Sequence, residues 1–210
     1  MIILNNPQKL ILRFIKMKSF FLSLIFFIKS FFVKQQYDVI FYFPRHFKRG
    51  KKNQNLYFSH LINTCKDHQI SYLVFEEPSI GIKYYYDKEI VPFDFLFFLV
   101  ILFRKVFLFN NNFRLVDNRI GRFIAYIFFR NISFNNFITI SQSMVSLFRG
   151  INFKSKIFDL QHGIIHPEKN NYLLLGMPDI NLIKNDVHVL FSGIAYQNLM
   201  LNNDSTLFFK

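Results

Sequence analysis

Tyr37-Asp-Val-Ile-Phe-Tyr-Phe-Pro44 is a run of β-branched and aromatic residues stopped by a proline. That composition favours a buried, pleated strand, and the proline marks its exit. A basic, polar loop from Arg45 to Lys52 comes next, then a segment from about Asn55 to Asp67 with helical patterning. A second apolar run, Ile70-Ser-Tyr-Leu-Val-Phe75, stops at Glu76-Glu77-Pro78. Strand, helix, strand is the order of a parallel sheet.

The same alternation continues along the chain. Phe93 to Phe109 is strongly apolar but interrupted by Asp94, Arg104 and Lys105, which reads as a core or surface-inserted helix and not as a membrane span. Val116 to Arg130 suits another helix, with Arg119, Arg122 and Arg130 off its apolar face. Phe137 to Ile140 is a third strand, followed by a short helix, Ser141 to Phe148, with Ser141 expected as its N-cap and Gly150 as its end. Lys156 to Leu160 is a fourth strand and Val187 to Phe191 a last one, with Ser192-Gly193 and a final helical piece behind it. No repeat, heptad pattern or low-complexity linker interrupts this order. The expected fold is α/β: an open, mostly parallel sheet with helices on both faces.

The chain of 210 residues is long enough for one ordinary domain, or for one and the start of another, and its 51% apolar content supplies a core and excludes disorder. Cys65 is the single cysteine, so no intrachain disulfide and no multi-thiolate zinc site can form, and a reducing compartment is expected. Charge is unevenly placed. Residues 1–52 carry eleven Lys/Arg against Asp38 alone, a net +10 of the total +13. A basic leading portion on a nearly balanced body points to an anionic surface or substrate. No recognition-helix, zinc-finger or RNP pattern accompanies that charge, so nucleic acid is not the expected partner.

Most of the leading charge lies in residues 1–36, read as a basic amphipathic helical segment. From Lys9 to Lys34 there is no Pro or Gly, and Lys9, Arg13, Lys16, Ser19, Ser23, Ser30 and Lys34 fall in one stripe of a helix whose remaining surface is nearly all apolar. Such a helix must be covered by protein or sink into lipid headgroups, and both readings stand. The uninterrupted apolar stretch is too short to span a bilayer, and no small-residue cleavage site follows it.

In an open parallel sheet, ligands bind where the strands end. Arg45, His46, Lys48 and Arg49 stand at the first strand exit, Glu76 at the second, and Ser192 with Gly193 at the last. The most pointed exit is Lys156-Ile-Phe-Asp-Leu-Gln-His-Gly-Ile-Ile-His-Pro167. His162 there can act as a base, hold a phosphate oxygen when protonated, or simply cap a turn. Gln161 offers a donor and an acceptor, and Gly163 permits a tight backbone path. His162 and His166 are four apart, but Gly163 and Pro167 deny them a shared helix face, and no HExxH order exists. Neither a metal nor a cofactor is expected. Glu76 and Glu77 are adjacent on an extended chain and point apart, unlike the facing carboxyls of a glycoside hydrolase.

Asp159-Leu-Gln-His-Gly-Ile-Ile-His-Pro167, with Tyr172 and Leu173-Leu-Leu-Gly-Met-Pro178 behind it, resembles the Gln-His-Gly segment of bacterial capsule and surface-polysaccharide biosynthesis proteins related to GT-B glycosyltransferases. The early strands are also similar, and the resemblance extends over residues 37 to 200. It implies two Rossmann-like domains, an acceptor held mainly by the first and a nucleotide-sugar donor mainly by the second. His162 matches the motif histidine, which implies the role of base or phosphate contact, with Gln161, Gly163 and His166 around it. Residues 37–184 would form the first domain and 185–210 the start of a second, truncated one. The resulting expectation is sugar transfer to a glycan or lipid-linked acceptor, in a cytoplasmic protein peripheral on the inner face of the cell membrane. A non-catalytic membrane-peripheral or partner-binding protein is the alternative.

Overall fold

The computed structural model describes residues 18–48, 55–79, 82, 84–107, 113–162, 172–174, 177–194 and 198. In chain order its elements are α1 (Lys18–Ser30), β1 (Gln35–Pro44), a 3-10 turn (Arg45–Phe47), α2 (Ser59–Asp67), β2 (Tyr72–Glu77), β3 (Ile90–Pro92), α3 (Asp94–Phe107) and α4 (Phe113–Phe128). Then follow β4 (Ile132–Ile140), α5 (Val145–Ile151), β5 (Lys156–Leu160), the short pair β6 (Leu173–Leu174) and β7 (Met177–Pro178), α6 (Ile180–Lys184) and β8 (Val187–Leu190).

Six strands form one sheet in the order β3-β2-β1-β4-β5-β8, and every neighbouring pair in it is parallel. The chain steps outward from β1 to β2 and β3, then crosses to β4 on the other side of β1 and steps outward again. This doubly wound order is Rossmann-like, and its direction reverses between β1 and β4. Val187–Leu190, expected to open a second domain, is instead the edge strand of this sheet, in register with Ile157–Leu160. β3 escapes sequence reading because it has three residues and ends in Pro92, which an edge strand tolerates.

The period of two along each strand divides the core. Ile40, Tyr42, Leu73 and Phe75 face a thick helical layer with α1, α3, α4 and α5; Phe41, Phe43 and Val74 face α2. Phe148 of α5 stacks on Phe137 at 3.9 Å between ring centroids, and Phe27 of α1 meets the rings of Phe75, Phe93 and Phe129. Each buried ring contributes about 2–3 kcal/mol through area removed from water.

Two local expectations change. Ser141 does not cap α5: residues 141–144 form a turn, and the residue before the helix is Met144, with left-handed backbone and no side-chain cap. Gly150 does not end α5 either. It lies inside the helix where α5 crosses α4, and a Cβ there would stand 2.2 Å from the Asn118 carbonyl oxygen.

The N-terminal helix is oriented opposite to its sequence reading. Ser19, Ser23 and Ser30, assigned to the polar stripe, face inward. Ser19 Oγ donates to Asp94 Oδ1 at 2.7 Å, Ser23 Oγ accepts from the Phe95 backbone at 3.2 Å, and Ser30 Oγ donates to the Phe27 carbonyl at 2.7 Å. Small hydroxyl residues let α1 lie close to α3, with Phe20 and Phe27 filling the space beside them. Phe21, Ile25, Ile28 and Phe31 are left on the exposed face.

Candidate functional site

A cavity of about 460 Å³ opens at the carboxyl ends of the strands, around the β1/β4 reversal point. Glu77 from the end of β2, Phe97 and Arg104 from α3, residues 141–146 after β4, and His162 after β5 line it, with Asp117, Tyr172 and Asn181. β1, β4 and β5 each stop just before a polar residue, Arg45, Ser141 and Gln161, so one end of the sheet collects hydrogen-bonding groups.

The turn after β4 is strained. Ser141, Gln142 and Met144 all have φ of 56°, a region that costs a residue with Cβ about 1 kcal/mol or more. Buried partners hold the turn there. Thr139 Oγ1 donates to the Ser143 carbonyl at 2.9 Å, the Gln142 N–H donates to Asp159 Oδ1 at 2.7 Å, and Ser143 Oγ donates to Glu77 Oε2 at 2.7 Å. Asp159 also accepts from the Tyr172 hydroxyl at 2.8 Å. Burial pushes its carboxyl up to about 7, against the lowering influence of those two donors. Burial likewise raises Glu77, opposed by the Ser143 and Tyr42 hydroxyls and by the Arg104 charge. The result is a preformed turn whose geometry does not wait for a ligand.

His162 reaches the cavity wall half-buried, its ring edge-on to Phe47 at 4.6 Å and to Tyr57 at 5.5 Å. Its backbone N–H is held by the Tyr172 hydroxyl. Gln161 is buried and does structural work: its Oε1 accepts from the Ser192 N–H at 3.0 Å and from Ser192 Oγ at 3.3 Å, joining the ends of β5 and β8. Gly193 has open space around it.

Arg45, His46, Lys48 and Glu76, the described residues expected to meet a ligand at the first and second exits, do not line this cavity. Arg45, expected to meet a ligand at the first strand exit, is buried: Nε donates to Glu76 Oε1 at 2.6 Å and Nη2 to Asp94 Oδ2 at 3.1 Å. Lys48 Nζ approaches Glu76 Oε2 at 2.5 Å. Arg45 and Lys48 therefore balance Glu76 and Asp94 inside the protein, fixing the ends of β1 and β2 to the start of α3. An ionic group withdrawn from water in this way is expensive to leave unpaired, so these charges are spent on each other. His46 is exposed, 3.4 Å from Ser79 Oγ. Arg49, Gly163 and His166 lie outside the described residues.

Of the two acids that end β2, Glu76 was the one expected to meet a ligand, and Glu77 is the one that lines the cavity. Alternation along β2 carries the missing signal: Leu73, Phe75 and Glu77 share the face toward the thick helical layer, where the cavity lies. Arg104 and Asp117 were legible only as helix residues. Their pairing, Nε to Oδ1 at 2.7 Å and Nη2 to Oδ2 at 2.6 Å, depends on how α3 meets α4.

Fold and cavity together define a doubly wound, Rossmann-like α/β protein with a polar site at its topological reversal point. Comparison with protein-family models, with curated proteins and with solved structures finds no match. Among the described residues no helix is long and apolar enough to cross a membrane, and no cluster of His, Cys, Asp and Glu could hold a metal ion.

Proposed function

We propose that this protein is a glycosyltransferase-like component of surface-polysaccharide biosynthesis, transferring a sugar from a nucleotide donor to a glycan or lipid-linked acceptor. The observation that carries the reading is the position of His162, on the wall of a preformed polar cavity at the carboxyl end of a parallel sheet. An imidazole there can take the proton of an attacking hydroxyl. Ser141, Gln142 and Ser143 offer further hydrogen-bonding groups beside it.

The test is calorimetric titration of the full chain with uridine-, guanosine- and cytidine-linked sugars, followed by the same titration of His162→Ala. Binding of at least one nucleotide sugar, weakened about tenfold or more in the variant, is the expected result. Absence of binding across the panel removes the transferase reading, and unchanged binding and turnover in His162→Ala removes this histidine from the mechanism.

The reading extends to a peripheral position on an anionic membrane, the inner face of the cell membrane. Its support is the outer surface of the thick helical layer. Phe21, Ile25 and Ile28 of α1, Phe32 just past its end at 83%, and Phe123 and Tyr126 of α4, the latter at 81%, are exposed. Lys18, Lys29, Lys34, Arg119, Arg122 and Arg130 are also exposed. The only acids between residues 18–34, 94–106 and 116–131 are Asp94 and Asp117, both buried and paired with arginine. Exposed aromatics among cations without exposed acids complement an anionic headgroup layer.

A further inference from the structure

Glu77 lines the cavity with its two carboxylate oxygens unequally engaged. Its Oε2 accepts from the Tyr42 hydroxyl at 2.8 Å and from Ser143 Oγ at 2.7 Å. Its Oε1 has no hydrogen bond among the described residues. A carboxylate fixed through one oxygen by two hydroxyls, with the other oxygen open, is oriented to receive a donor that the protein does not supply.

The charge around it narrows the kind of donor. Arg104 is forked onto Asp117, so these two largely offset each other, and among the described lining Asp, Glu, Lys and Arg residues Glu77 is the one outside that ion pair. A phosphate in this cavity would face a carboxylate in a partly desolvated space, where like charges repel strongly. A neutral hydroxyl gains a charge-assisted hydrogen bond instead. Phe97 and Met144 add apolar surface beside Ser141 and Gln142, which suits a ring with C–H faces and a hydroxyl rim. The volume of about 460 Å³ falls within the range of small-molecule sites.

We propose that the cavity holds a neutral, polyhydroxylated ligand of sugar size, with Glu77 Oε1 accepting a hydrogen bond from one of its hydroxyls. Binding of such a ligand stands without the transferase reading; its identity as the acceptor rests on that reading.

Saturation-transfer NMR at pH 8 on the full chain tests this with glucose, galactose, mannose, N-acetylglucosamine and myo-inositol as probes. Transfer to at least one probe is expected, weakened about tenfold in Glu77→Gln, which keeps an acceptor oxygen for Tyr42 and Ser143 but offers an amide to the ligand. Glu77→Asp, which withdraws the open oxygen by one methylene, gives a similar loss and serves if Glu77→Gln does not fold. Added inorganic pyrophosphate leaves the signal unchanged. The proposal is overturned by no transfer to any probe, by equal transfer in a folded Glu77 variant, or by displacement with pyrophosphate. Nucleotide sugars measured alongside keep the two ideas separate. If they fail to bind while Glu77-dependent sugar binding survives, only the transferase reading falls; the converse removes only the role of Glu77.

Discussion

Asp159 is a carboxyl that folding makes harder to ionise, and the sign of its effect on stability follows. Its folded value of about 7 lies above its unfolded value of 3.8, so between those limits the folded state binds more protons. Its contribution is therefore most favourable below about pH 4 and is lost as pH rises toward 7, by an amount on the order of 4 kcal/mol. Asp159→Asn removes the titration while retaining an oxygen for the Gln142 N–H, and the Tyr172 hydroxyl can turn to the Leu160 carbonyl, 3.4 Å away. Urea unfolding of the variant should show a stability advantage over wild type that grows from pH 4 to pH 7. A parallel pair of pH profiles would refute the assignment. Asp159 was visible in the sequence only as a strand residue before Gln161; its burial arises from Tyr172 and the 141–144 turn closing over it, neither of which spacing reveals. Arg45 was harder still. Nothing in Arg45-His-Phe-Lys48 separates a solvated cation from one enclosed by Glu76 and Asp94, because those partners come from two other elements.

Elements were more legible than side chains wherever a periodic apolar run was long. β1, β2, β5, β8, α3 and α4 all fall where hydrophobic patterning places them, within a few residues. β4 is longer than its apolar part, Phe137–Ile140, because Ile132–Asn136 carries two asparagines of low strand propensity. Asn136 is accommodated by donating from Nδ2 to the Asp38 carbonyl at 2.9 Å. The crossing of α4 and α5 could not be anticipated, since it depends on two glycines from different helices meeting. A Cβ on Gly121 would stand 2.2 Å from the Leu147 carbonyl oxygen and 2.9 Å from the Gly150 Cα, with backbone on the opposing side that cannot yield locally. Gly121→Ala should therefore cost about 3 kcal/mol, read as a lower urea midpoint at unchanged slope. Because α5 follows directly on the strained turn, the same substitution should also weaken any ligand bound in the cavity. Stability within experimental error of wild type would mean that the helices separate more easily than their close approach suggests.

At the scale of the whole molecule, α1 does two things that must be separated before a membrane role is tested. Phe27 is fully buried against Phe75, Phe93 and Phe129, and Ser19 bonds Asp94 in the cluster that fixes the strand ends, so deleting the N-terminal segment would open the core. Loss of lipid binding after such a deletion would say nothing about lipid. The helix begins beside Asp94 and the carboxyl ends of the strands, through Ser19, and just past its other end the Phe31 carbonyl accepts from Asn131, the residue before β4. Its exposed side chains can therefore be changed without touching the cavity lining. The combined variant Phe21→Ser, Ile25→Ser and Phe32→Ser removes apolar surface while preserving the buried serines, Phe27 and every exposed lysine of α1. It should lose flotation with vesicles containing phosphatidylserine, keep wild-type thermal stability, and bind cavity ligands as before. Wild-type flotation should itself weaken at high salt and vanish on vesicles of phosphatidylcholine alone, since lysine attraction to anionic lipid is screened. Undiminished flotation of the triple variant would place the lipid contact elsewhere on the molecule, and equal binding to neutral vesicles would mean that charge has no part in it.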